Sequence, residues 1–135
     1  MNTEAKFKHL DFLQLTITRM SVNSFLIKGW AVTLVSALFA FAAKESNVEY
    51  VIITYISTPL FWILDGYYLS QERQYRDLYN HVRILNDSQI DFDLNAVRFR
   101  KGRNQWFHSV FSKTLNIFYG VLLGITLVVM FVINR

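Results

Sequence analysis

The sequence predicts an all-α membrane protein with three transmembrane helices, an N-terminal amphipathic helix and a cytosolic extension of the second span. Three observations predict it. Hydrophobic residues make up 53% of the 135 and aromatic residues 16%, with one proline, and the mean hydropathy is +0.23. The apolar residues gather in three blocks instead of lying along one side of amphipathic segments. No glycine or proline separates the polar stretch before the first block from that block, or the second block from the charged stretch that follows Gly66. At this length the chain forms one integral-membrane domain, residues 1–135.

Residues 4–23 carry Leu10, Leu13, Ile17 and Met20 at heptad spacing, with Phe7 just before them. That spacing predicts an amphipathic helix over 1–23 running straight into the first span, 24–43. The span contains Lys28, and the second span, 50–69, contains Asp65. A long charged side chain near an interface is tolerated because its head can snorkel or pair. Residues 44–49 form the tight turn between the two spans. Lys28 and Asp65 stand nearly the same number of residues from that turn, which predicts that they share one depth and form an ion pair at the inner interface. Pro59 removes a hydrogen bond to the carbonyl of Tyr55 and predicts a kink in the second span.

The second span continues as a helix over 70–85, supported by opposite charges at i,i+4 in Glu72–Arg76 and Arg73–Asp77. Leu10, Leu13, Ile17 and Met20 are then expected beside Tyr68, Tyr75, Tyr79 and Val82. Residues 86–105 have no long period and read as a cytosolic loop, acidic first and basic after. Residues 106–113 read as an interfacial segment anchored by Trp106 and Lys113. The third span, 114–134, contains residues 115–133 without a charge, enough to cross roughly 30 Å of hydrocarbon. A soluble bundle is the alternative, but this run is apolar on every helical face.

Lys6, Lys8 and Arg19 precede the first span, and eight Lys or Arg lie in 70–113, whereas the 44–49 turn is net negative. By the positive-inside rule the N-terminus and the central segment are cytoplasmic. The net charge of +4 is accounted for as a topology signal, and no DNA partner is predicted. No cleavable signal peptide is read at the N-terminus. With no cysteine, disulfides and thiolate metal sites are excluded.

Small residues mark two helix faces: Gly120 and Gly124 on the third span, and Gly29, Thr33 and Ala37 on the first. Such stripes allow close helix approach in lipid, either within one protomer or between protomers. Arg83 and the basic string Arg98, Arg100, Lys101, Arg103 are candidates for binding a lipid headgroup or a signalling nucleotide. Arg76 and His81 have the R-x4-H spacing of HEPN ribonucleases, and an exposed surface histidine is the plainer reading. Asp91 and Asp93 lack a third ligand, so neither metal nor cofactor is predicted. With no nucleotide-binding, serine-hydrolase or zinc motif present, no enzyme activity is assigned.

The strings LTITRMSVNSFLIKGW, FWILDGYYLSQERQYRDLY and FSKTLNIFYGVLL resemble small bacterial multi-span membrane proteins related to the SLATT-type membrane effectors of antiphage conflict systems. The usual SLATT unit has two spans, where three are predicted here. The resemblance implies a homo-oligomeric effector of the bacterial inner membrane that forms a pore or depolarises the membrane. Its implied trigger is a cytosolic signalling enzyme of TIR or cyclase type, or a nucleotide second messenger. A passive membrane anchor for a cytosolic enzyme and a membrane-tethered ribonuclease are the competing readings.

Overall fold

The computed structural model describes residues 3–134. The chain is helical, without strands among the described residues, in the order α1 (Thr3–Glu45), α2 (Glu49–Val82), α3 (Trp106–Val110) and α4 (Lys113–Ile133). The predicted amphipathic helix and first span are one helix of 43 residues, about 64 Å long at 1.5 Å per residue. α2 has 34 residues and passes Pro59 without interruption. It ends at Val82, three residues short of the predicted boundary. Neither Pro59 nor Gly66 stops α2, and no glycine or proline lies between the polar and apolar parts of α1, so each helix runs through both.

α1 reverses into α2 through a turn of three residues. Ser46 adopts a left-handed conformation (φ 52°), the geometry that commonly ends a helix. The Asn47 amide donates to the carbonyl of Ala42 (3.2 Å), and the Asn47 side chain accepts from the Glu49 amide (2.9 Å). Phe41 and Tyr50 stack across the turn at 5.7 Å. So short a connection forces the two long helices to pack antiparallel along their length.

α4 joins this pair mainly through α2. Ser112 caps it, accepting from the Leu115 amide at 3.4 Å, and Asn116 donates to the Phe111 carbonyl (2.9 Å). Ala31 and Val35 of α1 meet Leu115, Tyr119 and Leu122 of α4, with Phe61 and Trp62 of α2 packed alongside. A second core lies at the end away from the α1–α2 turn. There Leu13, Leu78, Val82 and Ala96 are buried, with Leu10, Tyr75 and Tyr79 against them.

Residues 86–105 differ from the loop expected. They contain three short 3-10 turns, Asp87–Gln89, Val97–Phe99 and Gly102–Asn104, and lie against the helix pair. Ala96 belongs to the second core. Asn104 is buried, donates to Asp77 and to the Phe99 carbonyl (2.9 Å), and receives Ser70 Oγ on its own carbonyl at 2.5 Å. Periodicity could not predict this docking because aperiodic backbone is held here by side-chain hydrogen bonds.

α1 and α4 are each long and apolar enough to cross a membrane. Only 17% of the most apolar window of either helix is buried inside the protein. Such exposure separates both from the core helices of a water-soluble bundle, which bury their apolar surface. α2 is not among the helices that meet this measure.

Candidate functional site

The buried face of α2 carries the polar row Thr54, Thr58, Asp65, Ser70 and Gln74, with Gly66 among them. Asp65 is at its centre and fully buried. Lys28 Nζ lies 2.6 Å from Asp65 Oδ2, so the structure brings the two predicted charges together. Two further donors complete the site. Ser24 Oγ donates to Asp65 Oδ1, and Tyr119 Oη donates to Asp65 Oδ2 at 2.9 Å. Lys28 also donates to Ser24 Oγ (2.9 Å).

One carboxylate thereby holds α1, α2 and α4 through donors from each neighbour. Burying an ion costs several kcal/mol in desolvation, and mutual attraction offsets this only when geometry and extra hydrogen bonds are good. Here Asp65 has three donors and Lys28 keeps 20% of its side chain exposed. Ser24 could be read in hindsight, since it is one turn before Lys28 on the same face. Tyr119 had no such signal. It sits five residues into the third span, and only the path of 86–112 decides which α4 face meets Asp65.

Trp62 stacks on the Tyr119 ring at 5.7 Å with planes 11° apart and donates Nε1–H to the Val110 carbonyl (2.7 Å). Val110 presses on α2 at Gly66. A Cβ there would overlap the Val110 methyl and come 2.9 Å from its Cα, so only glycine admits α3 this close. Gly66, one residue after the key aspartate, is a positioning residue with no signature in the sequence. α3 is also tied by Trp106, which donates to the Ile63 carbonyl at 3.0 Å.

The small-residue faces point elsewhere. An added Cβ at Gly29, Gly120 or Gly124 would meet nothing within 4 Å, and Thr33 and Ala37 are exposed. Packing within the protomer therefore does not use either stripe. Gly29 and Thr33 instead border a depression of about 390 Å³ with Phe25, Leu26 and Trp30.

The structure splits the basic string. Arg98 and Lys101 border an open depression of about 430 Å³ with Asp77, His81 and Phe99, the Arg98 guanidinium lying 4.9 Å from the Phe99 ring centre. Arg103 lies instead beside Arg73, whose Nη1 donates to the Arg103 carbonyl (2.6 Å). Burial, then the nearby Arg103 charge, lower the Arg73 pKa, while Glu72 acts in the opposite sense. Arg73 nevertheless stays a cation at neutral pH. Arg83 and Arg100 are exposed.

Arg76 and His81 are not brought together. Arg76 pairs with Glu72 at 2.8 Å, and the His81 ring lies 5.9 Å from Phe99. Asp91 and Asp93 turn inward on their own loop, accepting from the amides of Asp93 (3.1 Å) and Asn95 (2.8 Å). Among the described residues no three metal-ligating side chains converge. A comparison with family models, curated proteins and solved structures finds no match to this chain.

Proposed function

We propose that the protein is a three-span, homo-oligomeric membrane effector with its N-terminus in the cytoplasm. Several copies assemble into a pore or otherwise depolarise the bacterial inner membrane when a cytosolic partner or nucleotide signal triggers them. The observation that carries this reading is the pair of open glycine faces, Gly29 on α1 and Gly120 with Gly124 on α4, neither used within the protomer. In lipid, where apolar surface alone gives no drive to associate, such faces promote helix contact through close packing. Two different open faces on one protomer favour head-to-tail contacts, which form a ring where the rotation between copies closes. α2 counts as a span, the second of the three, because its polar face is turned inward and Asp65 is neutralised by Lys28. The likeness to SLATT-type effectors supplies the defence context.

The test is the detergent-corrected mass of the purified protein together with dye release from liposomes. The wild type is expected to be oligomeric and to leak dye, and Gly120→Leu to lower the oligomer order and abolish leakage. A monomeric wild type, or a Gly120→Leu protein with unchanged mass and leakage, removes the pore reading.

One observation favours the second reading, a passive anchor for a cytosolic enzyme. Phe7, Leu15 and Ile84, in the predicted cytosolic part, are 60%, 67% and 74% exposed, an apolar surface suited to a protein partner. Co-purification of an enzyme that is lost with Leu15→Asp, without any dye release, would decide for the anchor.

A further inference from the structure

We propose that the depression bordered by Asp77, His81, Arg98, Phe99 and Lys101 binds a soluble sugar phosphate unit, free or within a nucleotide. The phosphate lies on Arg98 and Lys101, and a sugar hydroxyl on Asp77. The proposal deepens the reading of a triggered effector by naming the chemistry of its trigger. It rests on that reading's placement of residues 70–105 in the cytoplasm and not on pore formation.

Local backbone decides which cations of the basic string reach this place. The Phe99 and Arg100 amides donate to the carbonyls of Ala96 (2.9 Å) and Val97 (3.0 Å). The Lys101 amide then donates to the Phe99 carbonyl at 2.9 Å. Arg100 between them has φ −80° and ψ 68°, the geometry of an inverse γ-turn. This reversal leaves Arg98 and Lys101 at the border of one depression of about 430 Å³, with Arg100 outside it. The volume is in the range of small-molecule sites. The Arg98 guanidinium rests 4.9 Å from the Phe99 ring centre, and Phe99 packs on the second core, so this cation is held in place. Among the described residues neither Arg98 nor Lys101 forms an ion pair.

Asp77 borders the same depression and repels a bare phosphate. Its carboxylate is built in: Asn104, 3% exposed, donates to Asp77 Oδ2 and to the Phe99 carbonyl (2.9 Å). The buried amide thus ties the acid to the turn that carries the cations. Among the described residues Asp77 Oδ1 receives no hydrogen bond. A fixed acceptor beside two cations suits a ligand that joins anionic oxygens to a hydroxyl donor. A sugar phosphate carries these groups several bonds apart. Inorganic phosphate sets them on one phosphorus, against the carboxylate that repels it. Depth argues against a lipid headgroup as the source of the phosphate. With Lys28 and Asp65 at the inner interface, α2 rises about 18 Å to Asp77 and about 24 Å to His81. The headgroup layer reaches only about 5–8 Å beyond the hydrocarbon.

The test is equilibrium binding to the full chain in phosphatidylcholine nanodiscs, by dialysis against radiolabelled ribose 5-phosphate, adenosine monophosphate or inorganic phosphate. Ribose 5-phosphate, adenosine monophosphate or both should bind about tenfold tighter than inorganic phosphate, the effect of a hydrogen bond to a charged group. Binding of the nucleotide alone would show that the unit is recognised only within it. Arg98→Gln and Lys101→Gln should each weaken binding about tenfold, and Arg100→Gln by less than about twofold, as a screened charge outside the border. Asp77→Asn keeps a carbonyl for Asn104 and removes the charge. It should weaken the sugar phosphates and strengthen inorganic phosphate, whereas a patch that attracts any anion would gain for all three. Such a common gain overturns the site, as does equal affinity for inorganic and sugar phosphates, an equal loss with Arg100→Gln, or no binding of either sugar phosphate. Exchanging part of the phosphatidylcholine for phosphatidylglycerol should change binding by less than about twofold, and competition by that lipid overturns the soluble assignment. Dye release without binding removes the site alone, and binding without dye release removes the pore reading alone.

Discussion

The two halves of the α1–α2 pair are packed differently. Near the α1–α2 turn and down to Asp65, buried positions include Thr54, Thr58, Asp65, Tyr119 and Thr126, while Phe25, Trp30, Ile56, Leu60 and Phe131 are exposed. At the far end Leu13, Leu78 and Val82 are buried, and Arg76, Asp77 and Arg83 are exposed. The charges there lie outside, as in water, over a core in which His9, Ser70 and Gln74 are buried with the apolar side chains, while Phe7, Leu15 and Ile84 are exposed. The near end keeps an apolar core of Ala31, Val35, Leu115 and Leu122 but turns polar side chains inward beside it and leaves large apolar ones outside, an arrangement suited to hydrocarbon surroundings. Along one uninterrupted helix pair the exposed charges, those of the 44–49 turn apart, are thus confined to the far end, with the change at Lys28, Asp65 and Gly66.

The sharpest way to break this division is to leave the buried charge at its boundary alone. Lys28→Leu strips Asp65 of its counter-charge and should destabilise the protein by about 3–5 kcal/mol, whereas Lys28→Leu with Asp65→Leu should recover most of the loss. Thermal unfolding in detergent of both proteins measures it, and equal damage in the two would show that the charges are not energetic partners. A smaller effect contrasts the two exposed surfaces directly. Leu60 is 63% exposed in the near half and Ile84 74% exposed in the far half. Leu60→Asp should cost about 2.5–3.5 kcal/mol in membrane insertion, while Ile84→Asp, already in water, should stay within about 0.5 kcal/mol. Membrane-fraction yield of the two variants separates a lipid-facing surface from a wet one.

Tyr119→Phe should cost about 1.5–3 kcal/mol, the usual worth of a hydrogen bond to a charged group, with the stacking of Trp62 kept. That loss should shrink in an Asp65→Asn, Lys28→Leu background, which a double-mutant cycle would measure. Gly66→Ala should cost about 1–3 kcal/mol by overpacking against Val110. Its readout is a shift in tryptophan emission as α3 moves and the Trp62 and Trp106 hydrogen bonds are strained.

What the sequence by itself determined follows from spacing along a helix and from short connections. The three apolar blocks come from hydropathy, the continuity of α1 and α2 from the absence of a stop between their polar and apolar stretches, and the pairing of Lys28 with Asp65 from counting residues about a short turn. The meeting of Leu10 and Leu13 with Tyr75, Tyr79 and Val82 was legible for the same reason. Tertiary structure alone decided the rest. Which face of α4 turns inward, and hence that Tyr119 meets Asp65 while Gly120 and Gly124 look outward, depends on how residues 86–112 fold back. That segment has no period to read. It is held by Asn104, Ser70 and Arg73 through single hydrogen bonds between residues about thirty positions apart. Gly66 is silent in the sequence for a related reason: its missing Cβ matters only because Val110, remote along the chain, occupies the space.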